Sequence, residues 1–480
     1  MRNAIPLILT VSIFVGGCSS LDFFGYEDNA PLHVIQRPEG YPSVMFGAEM
    51  APTFFHQGES SSDLVAVSAG TGYPTLFYRL SADGKLVDVE DPYNEYLSDN
   101  EIEAESMGSG SSLVGLPSWE NDGLYTGCVA IGEPIAGQVT IVCEQDKEIF
   151  HIASDATGVD DLDGFGLEMA GIRPSQGDGW LLAVSSNTTI TVFGSSFSPG
   201  ENRSETISPL YDGSPALAPI IEIAAGRLAD GTFFVAASTG DAQESEPFRI
   251  HLFVQDGPNS TGMTQVACLN RSSMIGFGGI MVAGDLNGDG DDELITSLAA
   301  GAPGREDLVE IWQIEDLVDA APTCNSEEIV PTATVAPGEG PLKISCDPGS
   351  DCEFGFSLAV GDIATDDGGP ELIVGAPGAK VDSAAGAGAV YIYRGVDLIS
   401  NGTAQPAGRV ADSAPKKDYR FGGGVAVSPM AGRNELLVGA TGKGRLVIAY
   451  CTGVGEDLEA GADVTTNAGG SVISTRCRPR

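Results

Sequence analysis

The segment Gly276–Glu310, GFGGIMVAGDLNGDGDDELITSLAAGAPGREDLVE, decides how the rest of the chain is read. It is an apolar run, a tight acidic loop, a second apolar run and a Gly-Pro turn. Within it, Asp285-Leu286-Asn287-Gly288-Asp289-Gly290-Asp291-Asp292-Glu293 sets side-chain oxygens at alternate positions, with glycines where the backbone must double back. Carboxylates packed this densely repel one another, and a hard divalent cation turns that repulsion into coordination. An EF-hand is excluded, because it needs Glu at the twelfth loop position and Thr296 stands there.

The pattern of this segment recurs along the chain. Each copy has an F-G or small-residue start, an apolar strand after a polar turn, and a third strand with alternating apolar residues. Copies start near residues 46, 110, 165, 216, 276, 354 and 421. Each has room for a fourth strand, as in KLVDV near 85, EIFHIAS near 148 and TQVAC near 264. Such spacing suits a four-stranded blade with variable loops. The expectation is an all-β fold, a seven-bladed β-propeller of four-stranded antiparallel blades over residues 32–480. Closing the ring requires both chain ends to share a blade. Leu32–Gln36 and GSVISTRC, from Gly470, compete for that place.

The words FGFSLAVGD with ELIVGAPGA, and FGGIMVAGDLNGDGDDELIT, resemble the FG-GAP repeats of the integrin alpha-subunit propeller. The likeness is close in the fifth and sixth copies and faint in the second and fourth. In that family the loop between the first two strands of some blades binds calcium. The resemblance therefore implies Ca2+ held by the side chains of Asp285, Asn287, Asp289 and Glu293 and the carbonyl of Asp291. A poorer copy in the sixth repeat offers Asp362, Asp366, Asp367 and Glu371 in a distorted loop.

Composition narrows the function classes. The 480 residues carry 24 Lys and Arg against 67 Asp and Glu, a net charge of -43, which argues against a nucleic-acid partner. Residues 1–17 read as a signal peptide. Val15-Gly16-Gly17-Cys18 resembles the bacterial lipobox, which implies a lipidated Cys18, a tether over 18–31 and an envelope location, by Ser19 at the outer membrane; the membrane is met through this lipid alone. The eight remaining cysteines suggest disulfides. Neighbour pairing gives Cys128–Cys143, Cys268–Cys324, Cys346–Cys352 and Cys451–Cys477.

No G-x-S-x-G, H-E-x-x-H or Walker loop is present, and His33, His56, His151 and His251 are scattered. Trp119, Trp180 and Trp312 read as core residues. The expected function is a non-enzymatic, calcium-stabilised binding, adhesion or scaffold module for a protein or glycan. The alternative is a polysaccharide- or phosphodiester-cleaving enzyme with its site in the propeller channel, for which clustered ionisable groups there would speak.

Overall fold

A computed structural model describes strands and turns within residues 32–450; residues 1–31, residues 451–480 and several loops lie outside the described set. Strand β1 (Leu32–Gln36) comes first. The first sheet holds β2 (Met50–Thr53), β3 (Asp63–Val67), β4 (Leu76–Leu80) and β5 (Leu86–Asp88). The second holds β6 (Leu113–Leu116), β7 (Cys128–Glu133), β8 (Gln138–Cys143) and β9 (Ile149–Ala153). The third holds β10 (Met169–Ile172), β11 (Leu181–Ser185), β12 (Ile190–Gly194) and β13 (Ser204–Ile207). After a small ribbon, β14 (Leu210–Tyr211) with β15 (Ser214–Pro215), the fourth holds β16 (Ile220–Arg227), β17 (Phe233–Thr239), β18 (Arg249–Gln255) and β19 (Met263–Asn270). The fifth holds β20 (Phe277–Gly284), β21 (Glu293–Leu298), β22 (Val309–Trp312) and β23 (Ala333–Val335). The sixth holds β24 (Ser357–Gly361), β25 (Glu371–Ala376), β26 (Ala389–Arg394) and β27 (Gly408–Val410).

These six sheets are each built from four consecutive strands. The last three strands, β28 (Phe421–Met430), β29 (Arg433–Ala440) and β30 (Arg445–Tyr450), take β1 as their fourth. Leu32 pairs with Ala449 and Gln36 with Arg445, so Leu32–Gln36 fills the closing place. The rival segment from Gly470 lies outside the described residues. First strands of successive sheets pack side by side, and β28 returns to β2, so the sheets form a closed ring. The fold is a β-propeller of four-stranded antiparallel blades. Two short helices that the repeat pattern does not announce, α1 (Ile314–Val318) and α2 (Gly395–Asn401), follow third strands.

Second strands β7, β17 and β25 are buried along their whole length, because each is covered by a neighbouring sheet on both faces. That explains their unbroken apolar runs. The F-G words have a definite role between sheets. Phe165, Phe277, Phe354 and Phe421 are buried. The rings of Phe165, Phe277 and Phe354 meet Phe193, Trp312 and the Tyr391–Tyr393 pair edge to face. The glycines that follow, Gly47, Gly166, Gly278, Gly355 and Gly422, all take positive φ. Their carbonyls or α-carbons press on the preceding sheet in the ring. A Cβ at Gly132 would sit 2.0 Å from the Gly166 carbonyl oxygen, one at Gly375 2.2 Å from that of Gly422, and one at Gly439 2.1 Å from that of Gly47. The glycines in A-I-G-E, V-G-A-P and V-G-A-T are thus sockets for the next sheet's F-G turn.

Antiparallel order gives the ring two distinct faces. Turns between first and second strands, and between third and fourth, lie on one face, the hairpin face. Turns between second and third strands, and the links to the next sheet, lie on the other, the link face. Strand β1 begins on the hairpin face, where Ala449 lies, and ends on the link face.

Candidate functional site

The acidic loop joins β20 to β21 on the hairpin face, with Gly284 paired to Glu293 at its base. Asp285 folds back over it: one oxygen accepts the N–H groups of Gly288 (2.6 Å) and Asp289 (3.2 Å), the other that of Gly290 (3.0 Å). Asn287 Oδ1 accepts from the Asp289 N–H at 2.8 Å, and Asp289 Oδ1 from Asp291 at 2.9 Å. The Asn287 amide donates to Asp289 (2.7 Å) and Glu293 (3.2 Å). Gly288 and Gly290 hold φ of 79° and 96°, which only glycine adopts freely. Asp285, Asn287, Asp289 and Glu293 are therefore brought into one network.

Two acids of the loop look outward instead. Asp291 Oδ1 accepts the Ala229 N–H at 2.7 Å, and Asp292 Oδ2 accepts that of Arg227 at 2.6 Å, while Asp292 donates its own N–H to the Arg227 carbonyl. The loop thus fastens the fifth sheet to the β16–β17 turn of the fourth. Burial, with Asp289 and Asp285 nearby, pushes Glu293 up to about 8, and burial pushes Asp292 up to about 6.

Glu293 is almost wholly buried and accepts the Leu286 N–H at 2.8 Å. In the sixth sheet Glu371 accepts the Ile363 N–H at the same distance. The two acidic turns share this brace, which ties the second-strand glutamate to the start of the loop. Asp362 stands beside it; Asp366 and Asp367 lie outside the described residues. The oxygen-only donor set suits a hard cation. Even so, among the described residues no group of three or more His, Cys, Asp or Glu is gathered tightly enough to hold a metal.

A second constellation was not singled out by the sequence reading. Glu49, Glu168 and Glu222 occupy equivalent places at the link-face end of the first strands. The carbonyls of Glu49 and Glu168 accept the N–H groups of Ser68 and Ser185, and Glu222 lies opposite Ser238. Ser112, Ile280, Ser357 and Gly424 take the same level in the other sheets. The ring is therefore acidic on one side only. Glu49 is exposed, and Glu168 and Glu222 are half-buried. Burial raises Glu49 to about 7. Burial first, then the charges of Glu222 and Glu49, raises Glu168; burial first, then Glu49, raises Glu222. Glu49 acts on both Glu168 and Glu222, so the three glutamates form one electrostatic group.

The other candidates have structural places. His251 is buried with Nε2 3.1 Å from Thr239 Oγ1, and the exposed His151 sits 3.0 Å from Thr140 Oγ1. Trp312 is core; Trp119 and Trp180 lie outside the described residues, as does Cys18. Cys128, Cys268 and Cys352 are disulfide-bonded, and Cys143 stands directly opposite Cys128. Among the described residues no helix is long and apolar enough to cross a membrane.

No family model matches the chain, and no curated protein matches it. The solved structures that are similar at low identity include two propeller-sized chains. An alpha-L-arabinanase of Penicillium chrysogenum, complexed with arabinobiose, shares 10% identity over 73% of this chain and 94% of its own, with a TM-score of 0.38. U3-55K shares 10% identity over 88% and 98%, with a TM-score of 0.46.

Proposed function

We propose that this protein is a calcium-stabilised, non-enzymatic binding or scaffold propeller of the FG-GAP type, seven-bladed, held at the bacterial outer membrane by a lipid on Cys18. The convergence of Asp285, Asn287, Asp289 and Glu293 in one loop supports the metal part. Ca2+ there would offset the mutual repulsion of these acids and would hold the loop that grips the fourth sheet. The seven four-stranded sheets support the repeat assignment, as do the F-G turns with their left-handed glycines. The pairings Cys128–Cys143, Cys268–Cys324 and Cys346–Cys352 are in keeping with three bonded members, and Cys451–Cys477 completes the set. A protein or glycan ligand remains the partner class.

The test is thermal unfolding with chelator and with restored calcium. Calcium at a hundredfold over its dissociation constant adds about 2.7 kcal/mol of stability. Asp285→Ala/Asp289→Ala is expected to abolish the calcium-dependent rise; an unchanged rise would remove the metal claim. Labelling with a fatty-acid precursor is expected to mark the wild type and spare Cys18→Ser.

The three link-face glutamates favour the second reading, cleavage of a polysaccharide or phosphodiester in the propeller channel, because carboxyl groups raised above their ordinary range and acting on one another suit general acid–base work. Turnover of such a substrate, lost in Glu168→Gln, would establish it.

A further inference from the structure

On the link face, where the sixth sheet meets the last, three exposed lysines lie together beside the exposed Asp382 and Asp418. Lys416 and Lys417 lie in the link that leads into Phe421, and Lys443 in the turn between β29 and β30. All three are exposed. The ammonium groups of Lys416 and Lys443 both reach the ring of the buried Tyr419, at 5.7 and 5.9 Å from its centre. Like charges are gathered around one ring, and no ion pair joins any of the three to an acid among the described residues. In a chain of net charge -43 such an arrangement is unexpected from composition.

The backbone under these lysines is strained and firmly held. The non-glycine residues with positive φ among the described residues are Glu353, Asp382, Asp418 and Arg420, and all lie in the link-face loops of these two sheets. Each costs about 1 to 3 kcal/mol, and such residues persist where surrounding structure fixes them, often at recognition sites. Here Asp418, Arg420 and Phe421 donate their N–H groups to the carbonyls of Ala385, Gly386 and Ala387, and Gly442 donates to Tyr419. Arg420 is engaged by Glu353 at 2.7 Å and lies over Phe356, so its charge is answered while those of the lysines are not. The platform is preorganised, which lowers the ordering cost of binding.

We infer that Lys416, Lys417 and Lys443 form a docking surface for an acidic polysaccharide. Three ammonium groups call for anions. A nucleic acid or another dense polyanion would meet the acidic remainder of the molecule as soon as it left the patch. A sugar polymer carries at most about one carboxylate per ring, and its hydroxyls can donate to the surrounding Asp and Glu side chains. An anionic membrane is disfavoured because its dense surface charge would likewise repel the acidic remainder of the molecule. The inference rests on the binding-module reading only for its partner class.

The experiment measures binding of oligogalacturonate to the full chain by calorimetry, at one fixed free calcium concentration because uronates bind calcium themselves. Neutral dextran and polyglutamate serve as comparison probes. Wild type is expected to bind the uronate and ignore dextran, with affinity falling about tenfold or more between 50 and 200 mM salt, as the release of counterions from a few contacts requires. Lys416→Glu/Lys417→Glu/Lys443→Glu is expected to lose binding at least tenfold, and the triple Lys→Arg variant to keep it, with circular dichroism confirming that both fold. Absence of wild-type binding, or equal binding by the charge-reversed variant, overturns the proposal. Tighter binding of polyglutamate also overturns it and assigns the patch to an acidic protein. Calcium-dependent stability is read separately, so failure here leaves the metal-stabilised module standing.

Discussion

At the scale of single residues, Gly375 and Gly231 separate two effects that a sequence shows as one letter. Gly375 has ordinary φ but faces the carbonyl of Gly422 and the hydroxyl of Ser357, where a Cβ would sit 2.2 Å from each. Gly231 has φ of 83° and nothing within 4 Å of a Cβ. Gly375→Ala is therefore expected to destabilise by about 2 to 3 kcal/mol through overpacking between sheets. Gly231→Ala is expected to cost about 1 kcal/mol through backbone strain alone. Denaturant unfolding of the two variants checks the ranking, and equal losses would mean that the socket can yield. The glutamates carry a second expectation. Their folded-state values lie above the ordinary range, so the protonated forms favour the fold. That contribution is complete below about 4.5 and is lost as pH rises through 7, where Glu49 ionises. Glu222→Gln is thus expected to raise the melting temperature at pH 8 by about 2 °C and to leave it unchanged at pH 4.5. A lowered melting temperature at pH 8 would show that the carboxylate is held by attraction instead.

Among the elements, the acidic hairpin is the one whose sequence says most and whose neighbours say the rest. Asp285, Asn287 and Asp289 were legible because the alternation of oxygens and glycines is local. The outward reach of Asp291 and Asp292 was not, because Arg227 and Ala229 stand more than sixty positions away and only ring packing brings them alongside. Asp292→Ala is expected to speed amide exchange in the β16–β17 turn of the neighbouring sheet, where the Arg227 N–H loses its acceptor, and to leave exchange in β24–β27 unchanged. Mass-resolved hydrogen exchange reads both regions. The same limit hid the three link-face glutamates. Glu49 and Glu168 share an offset in FGAEM and FGLEM, but Glu222 follows Pro-Ile-Ile without an F-G, and nothing in a linear pattern announces that three sheets aim at one axis.

For the whole molecule, the repeat period carried most of the information: four strands per sheet and the order of sheets follow from it, and the need to leave no open edge calls for a closing strand, but the choice of Leu32–Gln36 over the segment from Gly470 came only with the pairing to β30. The short helices α1 and α2 escaped because five to seven residues give no helical period to see. Removing residues 32–36 is expected to expose the free edge of β30, lower the unfolding temperature and promote association. Size-exclusion chromatography would show larger species, and an unchanged monomer would mean that another segment can take that edge.

The joint between β1 and β30 also has a mechanical meaning. Five residue pairs fasten the start of the described chain to its end, with Leu32 at the hairpin face and the pairs running away from it toward the link face. A pull on Leu32 directed out of the hairpin face acts along the strand and loads all five pairs at once, in shear. A pull sideways from the rim would open them one at a time. A load applied at Leu32 is therefore resisted most strongly when it points straight out of the hairpin face, directly away from the lysine-bearing face.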